Sequence, residues 1–555
     1  MRKIIQLFSR KFYSAFLIML CSLTAFAQKP VTGRVTSSTD GSGMAGVTVT
    51  VKGTKNAVQT SSDGTFKINA PDGAVLIFSD VSSVKQEARV AGQSSINVSL
   101  AQSNQQLNEV VVVAYGTRRR GDLTGAVTSV SAKDFQKGNI NSSEQLLIGK
   151  VPGLEVTTGG GSAGGGSKIR IRSGSSLNAS NDPLIVIDGV PVESNGVAGS
   201  ANYLNTINPN DIESISVLKD ASSTALYGSR ASNGVIIITT KKGSKGKVKF
   251  NFNTQSSVAN VAGQVKVLNG DQIRNIINAD AAAPGGNNTY KALLGTANTN
   301  WQNEIYRNAF GNNNNISAGG SVKGLPFELP FRASLGYLNQ AGVLKTNQFD
   351  RVATSLNLSP KFLNDHLSVN IAAKYSHTSN RFADEDAIGK AVSFDPTQPV
   401  FAAGNKYGGY YEWLQTDGNP IDLATRNPLA LLDLRHNTSD VNRVIGNVQV
   451  DYKMHFFPDL HLLFHLGIDN ASGKGNDNID SLSATNYKTG GRKAYYEQKK
   501  KNTLADVQLF YSKELKNIKS KVDVLVGTVT RIFIQKLKTL LHLVTEQLHT
   551  LLTLH

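Results

Sequence analysis

The chain has 555 residues, with 58 Lys and Arg against 41 Asp and Glu and a single cysteine. That length calls for several domains, one thiol excludes a disulfide framework, and 51 glycines with 22 Phe and 16 Tyr but only two Trp favour β structure over helix. The formal charge of +17 would suit a nucleic acid, yet the basic residues form no recognisable nucleic-acid module.

The first 27 residues read as an export signal. Arg2, Lys3, Arg10 and Lys11 form a basic region, "FYSAFLIMLCSLTAF" is a short apolar run, and Ala25-Phe26-Ala27 is a small-x-small cleavage site. A membrane anchor fits less well because the run is short, and a lipoprotein reading fails because Leu20 precedes Cys21 where a small residue is expected. Cleavage would remove the only cysteine and four positive charges, leaving +13. An exported chain argues further against a nucleic-acid partner.

Residues 28–105 read as a small β-sandwich. "VTGRVTS", "GVTVTVKG", "AVQTSSDGTFKINAP", "AVLIFSD" and "SINVSLA" alternate, with turn chemistry at Asp40-Gly41, Asp63-Gly64 and Asp72-Gly73. "GSGMAG" at 41–46 matches G-x-G-x-x-G, but a dinucleotide site needs a helix after the glycines, and Val47 to Val51 predict a strand.

Within the segment 106–117, "EVVVVAYGT" (Glu109, Val110, Val111, Val112, Val113, Ala114, Tyr115, Gly116, Thr117) is too β-branched to stay unpaired. It reads either as a buried strand or as a strand kept for another protein's sheet edge. Residues 118–243 read as mixed α+β. A short helix is expected over "SSEQLLIGKVPGLEV", capped by Ser142 or Ser143 and ending near Pro152-Gly153, and another over "DASSTALYG", capped by Asp220. "KIRIRSG", "PLIVIDGVPV", "IESISVLKD" and "NGVIIITTKKG" predict strands, Asp188-Gly189 a tight turn, and "GGGSAGGGS" (159–167) a flexible loop by composition.

From 244 the pattern changes to segments of about ten residues with one apolar and one polar face. Leu367, Val369, Ile371, Ala373 and Tyr375 oppose Ser368, Asn370, Lys374 and Ser376, and Val444, Val448, Val450 and Tyr452 oppose Arg443, Asn447, Gln449, Asp451 and Lys453. A soluble sandwich produces such alternation, and an outer-membrane barrel predicts it directly. No metalloprotease, hydrolase or phosphate-loop motif occurs, so no catalytic residue, metal or cofactor is assigned.

The order of these segments resembles the SusC/RagA family of TonB-dependent outer-membrane transporters. The matching stretches are "GVTVTVKGT" (46–54), "DGTFKINAPDGAVLIFS" (63–79), "LTGAVTSVSAKD" (123–134), "GKVPGLEV" (149–156), "DPLIVIDGVPV" (182–192), "LNTINPNDIESISVLKDASSTALYGSRASNGVIIITTKKG" (204–243) and "FPDLHLLFHLGIDNASGKG" (457–475). The resemblance implies a mainly β fold: a carboxypeptidase-regulatory-like β-sandwich, a TonB box at Glu109 to Thr117, an α+β plug (118–243) and part of a 22-stranded antiparallel transmembrane β-barrel (244–529). It implies plug-motif positions Asp188, Gly189, Lys219, Asp220, Tyr227, Gly228, Asn233 and Gly234. It also implies TonB with its inner-membrane energising proteins and a SusD-like surface lipoprotein as partners, and import of an oligosaccharide or peptide. A secreted β-rich adhesin is the alternative function, and a peptidase is disfavoured by missing zinc ligands. "FSDVSSVKQE" (78–87) departs from the family pattern by lacking an aromatic and a glycine, which leaves the packing of that strand open.

About nine strands fit into the 311 residues from 245 onward, so a full barrel at that spacing would need roughly 760 residues. The run "RIFIQKLKTLLHLVTEQLHTLLTLH" lacks strand alternation, and residues 530–555 are expected to be an out-of-frame tail on a fragmented reading frame, with an amphipathic helix as the alternative.

Overall fold

A computed structural model describes residues 29–555 except 39, 55, 81–82, 102–109, 114–115, 120–126, 173–177, 179, 194–195, 221–223, 287, 323, 325, 516–519, 544–551 and 555. The export signal lies outside the described residues. The chain divides into two compact units, Met1–Glu109 and Val110–His555.

The first unit is the expected sandwich. One sheet orders Thr65–Ala70, Lys29–Ser37 and Val98–Leu100, the other Ala57–Gln59, Thr48–Val51, Val75–Ser79 and Gln86–Arg89. Alternation puts Val31, Val35, Val49, Phe66, Ile68, Leu76 and Phe78 into one core. Of the stretch 78–87 whose packing the sequence left open, Phe78 is fully buried and meets Phe66 edge-on at 5.4 Å, whereas Val84 is exposed. Burying such side chains contributes about 1.5–3 kcal/mol each. The glycines of "GSGMAG" serve the backbone: Gly41 and Gly46 have φ of 71° and 78°, and the strand Thr48–Val51 follows them.

The second unit holds two sheets of opposite character. The plug sheet orders Val127–Ser131, Ile212–Leu218, Val235–Thr240, Leu184–Ile187 and Val190–Val192, with Leu184–Ile187 parallel to Val235–Thr240 and the other pairs antiparallel. Both faces are covered. Ile185, Ile187, Ile236 and Ile238 enter one core, whereas Leu184, Val186, Val235 and Ile237 enter another, which explains near-continuous apolar runs in place of alternation.

Two helix expectations need correction. The first is a 3-10 helix over Ser143–Leu147, ending well before Pro152-Gly153, with Ser142 at its N-cap. The second, Ala225–Ala231, has Thr224 at its N-cap in place of Asp220; the Asp220 carboxylate pairs with Arg172 at 2.7 Å.

The wall sheet is antiparallel throughout. Its nine long strands, in sequence and in space, are Lys249–Ala259, Ala309–Val322, Leu329–Ala341, Gln348–Leu358, Leu367–Phe382, Arg435–Lys453, Leu460–Ile479, Arg492–Leu515 and Ser520–Leu543. Its burial is inverted: Phe250, Phe310, Ile371, Tyr375, Val444, Leu466, Ile468, Val507 and Leu509 are exposed, whereas Asn315, Arg332, Arg351, Ser376, Arg443, Asn447, Asp469 and Asn502 are buried. A sheet built this way faces lipid outside and a polar interior inside.

Residues 530–543 continue the last long strand and pair with Arg492–Leu515 as far as Arg492↔Leu543, and Leu552–Leu554 pairs back onto Thr539–Leu541. The expected loss of strand structure after 530 is not observed. Both faces of residues 526–530 and 532–538 are exposed, because no long strand covers the far side.

Short turns join the wall strands at one rim, for example between Lys453 and Leu460. At the other rim lie connections such as 383–434, which contains the helices Asp386–Ser393 and Pro428–Asp433.

Candidate functional site

The chemistry of the second unit concentrates where the plug meets the wall. The wall supplies donors. Arg332 pairs with Asp211 at 2.8 Å, and Ser334 donates to the same carboxylate at 2.7 Å. One Arg351 amino group donates to the carbonyls of Asn141, Asn205 and Ile207 at 3.0, 2.9 and 3.2 Å. Arg443 is held in a fork by Asp469 at 2.7 and 2.8 Å and donates to Tyr203 O at 2.9 Å. Asn502 donates to Pro191 O at 2.9 Å and Lys500 to Gly196 O at 3.1 Å.

The plug supplies acceptors, and the turn Asp188-Gly189 is the most densely held. Asp188 and Gly189 both have positive φ, 47° and 88°, as a tight two-residue hairpin requires. The Asp188 carboxylate accepts from Thr240 N and Oγ1 at 2.8 and 2.7 Å and pairs with Lys374. Its carbonyl accepts from Asn447 and Gln449, both at 3.1 Å. Burial alone would push this carboxyl up; the Lys374 charge and the hydrogen bonds outweigh it and hold the group below the usual carboxylate range. A side chain at Gly189 would have to adopt the positive φ and displace His465, whose Cε1 would stand 2.9 Å from the added Cβ.

The glycine-rich run 159–167 is held, contrary to the compositional expectation of a flexible loop. Gly161 O accepts from Val343 N at 3.1 Å, Asn347 Oδ1 accepts from Ala163 N, and a Cβ on Gly161 or Gly164 would overlap Val343 or Phe349. Glycine is needed there for close approach.

The remaining plug-motif residues gather at the other end of the plug sheet. Lys219 Nζ donates to Pro152 O at 3.1 Å and Asn233 Nδ2 to Ser180 O at 3.0 Å. Tyr227 packs on the second core. Gly228 and Gly234 have φ of 69° and 89°, and a Cβ on Gly234 would sit 2.7 Å from Ile171 Cδ1. Asp188-Gly189 and the group around Gly234 thus flank the strand Leu184–Ile187 at opposite ends, and the wall residues Lys374, Asn447 and Gln449 hold the former.

Of the expected TonB box, Val110–Val113 is a strand paired antiparallel with Gly116–Arg119, in the register Val110↔Arg119 to Val113↔Gly116. Glu109, Ala114 and Tyr115 lie outside the described residues. The second strand joins Gly116 and Thr117 of the expected box to Arg118 and Arg119 beyond it. The wall residues Arg332, Lys374, Arg351 and Arg443 were not singled out as site residues from sequence. Their one local signal is a cation on the inward-facing positions of an alternating strand.

Residues 119–235 match the TonB-dependent Receptor Plug Domain family and residues 31–112 the CarboxypepD_reg-like domain family. TonB-dependent receptor SusC of Bacteroides thetaiotaomicron is 42% identical over 81% of this chain and 45% of its own length. The chain belongs to the SusC/RagA family of TonB-dependent receptors. A second relative, TonB-dependent receptor P26 of Formosa agariphila, is 34% identical over 78% of this chain and 42% of its own length. Among solved structures, the RagAB peptide importer in its open-open state has the same fold, with a TM-score of 0.61 at 21% identity over 80% of this chain and 51% of that chain. The chain thus spans about half the length of the SusC/RagA-family and related receptors it matches. The curated relatives are named as receptors, and the adhesin alternative is not favoured.

Proposed function

We propose that this protein takes part in TonB-dependent import of a bulky nutrient, an oligosaccharide or a peptide, across the outer membrane, together with a SusD-like surface lipoprotein. The observation that carries the reading is the seam just described. The plug has its own two-sided apolar core, and its hold on the wall combines many polar contacts with a few apolar ones, among the described residues Ile445 in the plug core cluster and Leu338 and Phe349 around Ala163. Polar contacts exchange with water at small net cost, so a pull can displace the plug without dismantling its core. Export through the 1–27 signal and the absence of enzymatic chemistry belong to the same reading.

Val110 to Val113 is the strand offered to TonB, energised by the inner-membrane proteins. Main-chain pairing needs β propensity more than any particular side chain. One edge of this strand carries Gly116–Arg119, so TonB takes the opposite edge or displaces that partner. Deleting Glu109 to Thr117 is expected to abolish uptake while leaving outer-membrane delivery intact. Val111→Pro or Val112→Pro removes an amide donor and is expected to abolish binding of TonB's C-terminal domain, whereas Val→Ile changes nothing. Unaltered binding of both proline variants would refute the strand-addition reading.

A further inference from the structure

The outward face of the wall carries a lysine cluster above its apolar band. On Arg492–Leu515, Tyr511 stacks on Phe457 at 5.6 Å beside the short-turn rim. The same outward face then runs through Leu509 and Val507, both exposed, to Lys501 and Lys499, also exposed. Ten residues separate Tyr511 from Lys501, which is about 33 Å along the strand and about 25 Å along the membrane normal at a tilt near 40°, the height of a lipid-facing band.

Above it, exposed Lys474 lies opposite Glu497, and the last long strand sets Lys536 opposite Lys499 and Lys538 opposite Glu497. Lys474, Lys536 and Lys538 lie opposite or diagonal to Glu497, which is 2.8 Å from Lys499 on its own strand, and Lys501 follows two residues beyond Lys499. Like charges directly opposite across strands are unfavourable. A bound anion at this height reverses that penalty, and the outer leaflet of a Gram-negative outer membrane presents phosphorylated glycolipid there.

We propose that Lys474, Lys499 and Lys501 form a docking site for the phosphate groups of lipid A, on the lipid-facing wall and separate from the plug seam. The inference rests on the membrane reading of the wall. The distance between lysines two apart on one strand, about 7 Å, lets neighbouring ammonium groups share one phosphate as point charges.

The test uses the full chain in detergent micelles, with its β-sheet content checked by circular dichroism and its wall by protease protection. It is titrated with lipid A, with chemically dephosphorylated lipid A and with phosphatidylglycerol. Lipid A is expected to bind at least tenfold more tightly than either other lipid. Lys474→Ser, Lys499→Ser and Lys501→Ser together are expected to erase that preference, at about fivefold per lysine, and added salt to weaken it. Equal binding of the phosphorylated and dephosphorylated lipids overturns the proposal, as does a folded triple variant that keeps the preference. If the triple variant does not fold, the wild-type comparison and Lys501→Gln decide. Loss of wall protection with the lipid preference intact would instead count against the membrane reading.

Discussion

The plug sheet and the wall sheet use the same residue types in opposite places. In the plug, Leu184 to Ile187 are buried on both faces. In the wall, Ile468 and Val507 point outward and are exposed, while Arg443 and Asp506 point inward and are buried. The plug sheet obeys the rule for a protein surrounded by water and the wall the rule for a sheet with lipid on one face and a polar interior on the other. The sign of the alternation therefore reports the solvent and says little about strand propensity.

The largest expected break in this contrast is Ile185→Lys. It places an unpaired charge in a fully buried core and should cost more than about 4 kcal/mol, seen as fast hydrogen exchange across residues 184–192 and 235–240 with wall strands still protected. Next is Lys374→Met, which leaves the Asp188 carboxylate buried without its cation, at about 3–5 kcal/mol. The plug should loosen at 188–189 by the same readout. The companion Asp188→Asn in the Lys374→Met background should recover much of that loss. Ile468→Lys is the mirror of the first change: it should cost about 2–4 kcal/mol in a bilayer, measured by urea titration in lipid vesicles against the unaltered chain. No penalty in vesicles would remove the case for a lipid-facing wall.

The smallest effect belongs to the long connection 383–434. Glu412 is buried there, accepts from Asn427 N at 3.1 Å, and is pushed up by burial to about 7. A carboxyl raised in the folded state gives a loop that is fully stable below about pH 4.5 and loses stability as pH rises through about 7, by up to roughly 3 kcal/mol. Glu412→Gln should flatten that dependence, read by proteolysis of residues 407–433 between pH 5 and 8. A wild-type loop with no pH dependence would contradict the burial argument.

Local pattern was enough for the sandwich strands, the plug strands and the faces of Leu367–Phe382 and Arg435–Lys453, because a period of two is set by nearest neighbours. It was not enough for the seam. Arg351 recognises carbonyls 144 to 210 residues away in sequence, and nothing local distinguishes it from a solvated arginine. The run 159–167 misled because glycine enrichment signals freedom and close approach alike. The helix Gly270–Ala282 was missed although its capping box, Asn269 with Gln272, stands in the sequence. The strand beyond Thr530 was missed because an uncovered edge imposes no alternation.

The connectivity of the wall has a consequence for the order of assembly. Every long wall strand after the first pairs with the one before it, so the sheet can grow hairpin by hairpin, with short closures at one rim and long ones, such as 260–308 and 383–434, at the other. The plug's contacts with the wall are of another kind: Glu193 and its wall partner Arg531 are 338 residues apart. The plug is also made first. It can fold on its own core while its carbonyls and carboxylates remain hydrated, and enclosure then exchanges those waters for arginine, lysine and asparagine donors. The slow step in assembling this unit is therefore expected to be the fitting of a finished plug into a growing wall, and the pairing of strands to be the fast one.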